Sequence, residues 1–205
     1  MNRVAIIDYG MCNLDSIARA VEECGGDACV THRSEDIESA SRVILPGVGA
    51  FPDAMHNLRE RDLDKVLQDQ VIGKQIPFLG ICLGMQLLAT RGWEGQETTG
   101  LGWIDGDVMR LEPRDAETRI PHVGWNEVDF TAGSDLFKGI TPGKDFYFVH
   151  SYSLRCSDDR QILARTPYCG DFVSAVQRDL VFGVQFHPEK SQRTGFQLLK
   201  NFLAI

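Results

Sequence analysis

The segment Pro77-Phe78-Leu79-Gly80-Ile81-Cys82-Leu83-Gly84-Met85 restricts this chain more than any other. An apolar run of strand character ends there in glycine, cysteine and glycine. A helical pattern, Leu83 to Ala89, follows at once. A strand and a helix with no loop between them need a sharp turn. Gly80 and Gly84 leave room for it, since side chains there would crowd the bend. This is the pattern of a nucleophile elbow, with cysteine where hydrolases carry serine. The turn projects the Cys82 sulfur at the C-terminal edge of a sheet and at a helix N-terminus, where partial positive charge favours thiolate. The Leu83 N–H then points toward any oxyanion formed beside the sulfur. Taken alone, the pattern also fits a buried core cysteine.

Similar alternation runs through the first half. Val4–Ile7 reads as a strand, Asn13 to Cys24 as a helix stopped by Gly25-Gly26, and Val43–Leu45 as a second strand ending at Pro46-Gly47. Phe51 to Val71 carries a charged helical stretch. Strands alternating with helices imply βαβ units and a parallel sheet. After Gly92 shorter strands follow: Val108–Leu111, Asn126–Phe130, Phe146–Ser153, Phe172–Gln177 and Val181–Gln185. A helix from near Ser191 closes the chain. The expected fold is one α/β domain over residues 1–205, a mostly parallel central sheet flanked by helices, with an antiparallel extension.

The length of 205 residues suits one sizeable core. A net charge of -8 argues against a general nucleic-acid or acidic-membrane surface. The N-terminal apolar stretch reaches Asp8 too soon for a signal peptide. The longest apolar run, Pro77 to Ala89, falls short of the roughly 20 residues that span a bilayer. A cytosolic protein is expected. The cysteines at 12, 24, 29, 82, 156 and 169 form no C-x-x-C pair. His32, His56, His122 and His150 show no metal-ligand spacing, so neither a metal nor another cofactor is expected.

Two further segments give Cys82 a chemical context. His187-Pro188-Glu189 lies just past the strand candidate Val181–Gln185, and strand ends of a parallel sheet gather at one edge, where α/β sites form. Pro188 holds His187 extended, and Glu189 can bend back to orient the imidazole. Such a histidine can deprotonate Cys82 and later protonate a leaving amine. Leu45-Pro46-Gly47-Val48-Gly49 follows a strand at the same edge and can aim a backbone N–H at an oxyanion. It lacks the lysine and the length of a phosphate-binding loop.

Pro46-Gly47-Val48-Gly49, Gly80-Ile81-Cys82-Leu83-Gly84-Met85-Gln86 and Phe186-His187-Pro188-Glu189 resemble, in order and spacing, the three motifs of the class I (triad) glutamine amidotransferases. That resemblance implies hydrolysis of the glutamine side-chain amide through a γ-glutamyl thioester, with ammonia passed to a synthase partner. Pro121-His122-Val123-Gly124-Trp125-Asn126, Tyr147-Phe148-Val149-His150-Ser151-Tyr152 and Pro188-Glu189-Lys190-Ser191-Gln192 resemble one branch of that family, the glutaminase subunits of imidazole glycerol phosphate synthases. By resemblance, Cys82, His187 and Glu189 form the triad. Val48 and Leu83 supply oxyanion-hole N–H groups. Gly49, Gln86, Glu94, Ser151 and Tyr152 contact glutamine. Asn13, Trp125, Tyr147 and Lys190 lie at or near the interface with a cyclase partner built as a (β/α)8 barrel. Val48 stands where most members have glycine, so its peptide needs to reorient to complete the hole. The resemblance further implies a chain nearly idle until its partner binds ligand. Three alternatives remain: the glutaminase of a paralogous amidotransferase, a stand-alone γ-glutamyl hydrolase, and a non-catalytic regulatory protein.

Overall fold

The computed structural model describes residues 3–115, 118–130 and 133–205. Thirteen strands run through these residues: β1 (Arg3–Ile7), β2 (Asp27–Thr31), β3 (Arg42–Gly47), β4 (Phe78–Cys82), β5 (Ala89–Gly92), β6 (Thr98–Thr99), β7 (Ile104–Arg110), β8 (His122–Phe130), β9 (Lys144–His150), β10 (Tyr152–Cys156), β11 (Ile162–Pro167), β12 (Asp171–Arg178) and β13 (Val181–Val184). The helices are α1 (Leu14–Glu23), α2 (Ser34–Glu38), α3 (Phe51–Glu60), α4 (Leu63–Leu67), α5 (Leu83–Gln86) and α6 (Gln192–Ala204).

Nine of these strands form one sheet in the order β2-β1-β3-β4-β13-β12-β11-β8-β9. From β2 to β13 neighbours are parallel. From β13 outward they are antiparallel. The remaining four make a smaller sheet, β10-β7-β5-β6. The expected α/β fold with a parallel sheet and an antiparallel extension is what forms, but the extension is large enough to make the sheet mixed, with four parallel and four antiparallel neighbour pairs.

Its core explains why the inner strands read as unbroken apolar runs. Val4, Ile6, Ile44, Leu79 and Ile81 pack on one side with Ile17 and Val21 of α1 and Leu198, Leu199 and Phe202 of α6. Ala5, Ile7, Val43, Leu45 and Phe78 pack on the other with Met55 and Leu58 of α3 and Leu63 and Leu67 of α4. A strand covered on both faces has no polar side to show. Each fully buried Leu, Ile or Phe contributes about 1.5–3 kcal/mol.

Some elements depart from the sequence expectation. The helical stretch Phe51 to Val71 is broken at Asp62, whose φ of 54° is left-handed. It continues as α4 and a wide turn, Gln68–Gly73. Phe146–Ser153 is two strands in two sheets, parting at Ser151. The helix after Cys82 stops at Gln86, and Ala89 already belongs to β5. Strands β2, β5 and β11 had no clear sequence signal.

Candidate active site

Cys82 ends β4 with φ 54° and ψ -110°, a strained conformation for a residue with a Cβ. Close packing enforces it. A Cβ on Gly84 would run into the Leu45 carbonyl oxygen, and one on Gly80 would lie 2.6 Å from the Gly84 oxygen. The first turn of α5 therefore presses directly onto β3 and β4. Its opening N–H groups, Leu83 among them, have no partners within the helix and lie beside the sulfur.

β13 brings the base to the same place. It pairs in parallel with β4, Val184 opposite Ile81, so the residues after it run past Cys82. The His187 N–H bonds the Tyr147 carbonyl at 2.9 Å. The Ser191 hydroxyl donates to the His187 carbonyl at 2.6 Å and accepts the Tyr147 N–H at 3.0 Å. A single turn, Pro188–Lys190, folds Glu189 back. Its Oε1 then accepts from His187 Nδ1 at 2.8 Å, both side chains being almost fully buried. His187 Nε2 is buried without a partner at ordinary hydrogen-bond distance and faces the Cys82 sulfur. Burial opposes a charged ring, but the adjoining Cys82 and Glu189 outweigh it, and the His187 pKa is pushed up to about 10. A charged His187 ring is the state this environment favours.

A cavity of about 270 Å³ opens onto the sulfur. Val48, Gly49, Cys82, Leu83, Gln86, Glu94, Ser151 and Tyr152 line it, which brings together residues from separate stretches of sequence. Glu94 also accepts the Phe51 N–H at 2.8 Å, so the same carboxylate tethers the start of α3. The Val48 N–H is not free to receive an oxyanion, because it donates to the Met11 carbonyl at 2.8 Å.

Trp125, Tyr147 and Lys190 lie together elsewhere. The Trp125 and Tyr147 rings meet edge to face at 6.0 Å, and the Lys190 ammonium sits 5.9 Å above the Tyr147 ring. Asn13 precedes α1, where it accepts from the Ser16 hydroxyl at 3.3 Å. Sequence reasoning missed Met11 and Gln185, whose amide nitrogen lies 3.6 Å from the Cys82 sulfur. It also missed the role of His122 and His150, which it tested only for metal spacing. On β9 the shared parity of His150 with Phe146 and Phe148 would have marked it as inward-facing, whereas on β8 the large apolar residues Val123 and Trp125 lie on the exposed face and gave His122 no such signal. No cluster able to hold a metal ion occurs among the described residues, and none of their helices is long and apolar enough to cross a membrane.

Such a site has the groups to attack an amide carbonyl and protonate a departing amine, with the Val48 N–H still committed to Met11. Comparison with known proteins agrees with that chemistry. Residues 5–205 match the model of the glutamine amidotransferase class-I family. Imidazole glycerol phosphate synthase subunit HisH 1 of Campylobacter jejuni is 44% identical over 202 residues, which cover 98% of this chain and 100% of that protein. Subunit HisH 2 of Pseudomonas aeruginosa is 46% identical over 202 residues, covering 98% and 99%. In fold, the crystal structure of a glutamine amidotransferase superposes with a TM-score of 0.74 at 19% identity, covering 98% of this chain and 99% of that one. The chain belongs to the class-I glutamine amidotransferases, in the branch of the HisH subunits of imidazole glycerol phosphate synthase.

Proposed function

We propose that this chain hydrolyses glutamine to glutamate and ammonia at Cys82 and hands the ammonia to a separate cyclase, folded as a (β/α)8 barrel, in histidine biosynthesis. One glutamine amidotransferase domain, 1–205, does this in the cytoplasm. Its six unpaired thiols suit a reducing compartment. The observation that carries the reading is the His187–Glu189 pair at 2.8 Å, buried, with Nε2 turned to a cysteine on a strained elbow.

The Cys82 thiolate attacks the glutamine Cδ, forming an S–C bond and a tetrahedral oxyanion. The Leu83 N–H holds the oxyanion, joined by the Val48 N–H once it leaves Met11. His187 Nε2 gives its proton to the amine, the C–N bond breaks and ammonia departs. Neutral His187 then takes a proton from water, the hydroxide attacks the thioester, and the S–C bond breaks to return thiolate and release glutamate. Glu189 orients the ring throughout. Gly49, Gln86, Glu94, Ser151 and Tyr152 bind the substrate around the cavity.

An exposed apolar stripe supports a partner. Val123 and Trp125 on β8 stand opposite Val149 and Tyr147 on β9, and Val123 and Trp125 are 56% and 47% exposed. On this reading Lys190 and Asn13 flank the same face. Exposed aromatic and aliphatic anchors of this kind centre interfaces.

A second reading keeps the chemistry and changes the client. The relatives carry the numbers 1 and 2 in their names, which fits a paralogue serving another synthase. A stand-alone hydrolase is disfavoured by the Val48 N–H being held at Met11.

Cys82→Ala in the complex with the cyclase should abolish glutamine-dependent synthesis and leave ammonia-dependent synthesis intact. Loss of both activities would refute the two-site scheme. Failure of the chain to restore growth of a histidine auxotroph lacking its own glutaminase would favour the paralogue.

A further inference from the structure

A run of buried polar side chains joins the β8 surface to Cys82, and the proposed catalysis leaves most of it unused. Asn126 Nδ2 lies 3.2 Å from His122 Nε2, and His122 Nδ1 lies 3.0 Å from His150 Nε2. His150 Nδ1 lies 2.8 Å from the Tyr152 carbonyl oxygen. That oxygen also accepts Gln86 Nε2 at 2.9 Å. Gln86 Nε2 reaches Gln185 Oε1 at 3.1 Å, and Gln185 Nε2 approaches the Cys82 sulfur at 3.6 Å. His122, His150, Gln86 and Gln185 are all buried.

The direction of every bond follows from its ends. At the outer end the Glu127 N–H donates to Asn126 Oδ1 at 2.9 Å, so the Asn126 amide nitrogen is the group facing His122. His122 Nε2 must therefore accept, and a neutral His122 carries its proton on Nδ1. His150 Nε2 accepts that proton's bond, so His150 is protonated on Nδ1 as well. At the inner end a carbonyl oxygen can only accept, which independently demands the same Nδ1–H tautomer of His150. A proton added to either ring would set two N–H groups against each other at one of these short contacts. Burial also keeps both rings neutral, lowering His150 to about 3 and His122 to about 4.

We propose that His150 is a positioning residue for the nucleophile: its Nδ1–H, braced by His122 and Asn126, fixes the Tyr152 carbonyl, which sets Gln86, which sets Gln185 against the Cys82 sulfur. This deepens the glutaminase reading and rests on it. The chain carries position and not protons, because His150 and Gln86 both donate into the same oxygen. It also runs from the neighbour of Trp125, on the face proposed to meet the partner, to the reacting atom.

The uniformly 15N-labelled full chain gives the first test, at neutral pH and without any substitution. Ring 15N shifts should place the proton of both His122 and His150 on Nδ1. An Nε2–H tautomer or a charged ring at either position overturns the proposal. The second test compares His150→Phe with His150→Asn in the complex with the cyclase. The asparagine amide can take over the bond to the Tyr152 carbonyl, and phenylalanine cannot. His150→Phe should lower kcat for glutamine hydrolysis about tenfold or more, with KM less affected, while His150→Asn stays within about threefold of wild type. Alkylation of Cys82 by iodoacetamide should slow in His150→Phe and in Gln185→Leu. Equal loss in both His150 variants, with unfolding midpoints unchanged, would overturn the proposal. A wild-type complex that hydrolyses no glutamine would sink the glutaminase reading instead, and the alkylation rates would still decide whether the chain sets the sulfur.

Discussion

Acid should expose His150 through stability before it does so through activity. Its folded pKa, about 3, lies below the ordinary 6.5 because burial penalises the charged ring. Between those values the unfolded chain binds a proton that the folded chain excludes. The contribution of a neutral His150 is thus full above 6.5 and falls as pH drops below it. At about pH 5 the loss is about 2 kcal/mol, one and a half units at about 1.4 kcal/mol each. His122, pushed down to about 4 by its own burial, acts in the same direction. His187 acts oppositely. Raised to about 10, its contribution is complete below 6.5 and is lost as pH climbs through about 10. The wild-type pH curve therefore mixes opposing slopes, and the difference between wild type and His150→Asn isolates the one of interest. Urea unfolding followed by tryptophan fluorescence at about pH 7.5 and about pH 5 gives that difference. The variant is less stable at the higher pH, and the gap should narrow by about 2 kcal/mol at the lower. A gap unchanged within about 0.5 kcal/mol would show that His150 is not held neutral by burial, and the linkage argument would fail.

Gly84→Ala should remove folded protein from the soluble fraction, because its Cβ would meet the Leu45 carbonyl oxygen, a backbone atom that cannot step aside; recovery of wild-type thermal stability would refute the tight elbow. Trp125→Ala should leave the isolated chain's stability within about 0.5 kcal/mol, its indole being half exposed. It should weaken cyclase binding at least about tenfold by calorimetry. Val48→Gly should raise partner-free glutamine hydrolysis severalfold by easing rotation of the peptide now bonded to Met11; no change in a coupled glutamate assay would count against that rotation.

The sequence was most legible where geometry is forced. Gly80-Ile81-Cys82-Leu83-Gly84 marked a sharp strand-to-helix turn, although only His187 and Glu189 set it apart from a buried core cysteine, and the inner parallel strands read directly because burial on both faces removes their polar positions. β2 escaped notice because it is an edge strand whose residues, apart from Thr31, are exposed or only partly buried, Asp27 and Val30 outermost. The break at Asp62 was hidden because α3 and α4 share one apolar face and only a two-residue turn, Arg61 and the left-handed Asp62, separates them. Ser151 looked like the middle of a strand, since the chain stays extended while it changes sheets. Gln185 was invisible for a different reason. One glutamine in an apolar strand carries no pattern, and only the parallel pairing of β13 with β4 brings it to the sulfur.

On the proposed mechanism the two halves of the site stand in different states. The nucleophilic half is assembled: the elbow is locked by Gly84 against Leu45, and His187 is raised toward the charged form that a thiolate requires. The half that receives the oxyanion is not, because the Val48 N–H is spent on Met11. Breaking one such backbone bond costs about 1–3 kcal/mol if its groups go unpaired. A missing oxyanion donor costs about 10²–10³ in kcat. A modest contact free energy, delivered to one peptide, therefore commands a large change in rate. Val48 and Val149 line the same cavity, and Val149 belongs to the exposed stripe with Val123 and Trp125. A partner seated on that stripe touches the cavity wall that Val149 shares with Val48, and a few kcal/mol of difference in its contacts between the two peptide orientations is enough to shift the population.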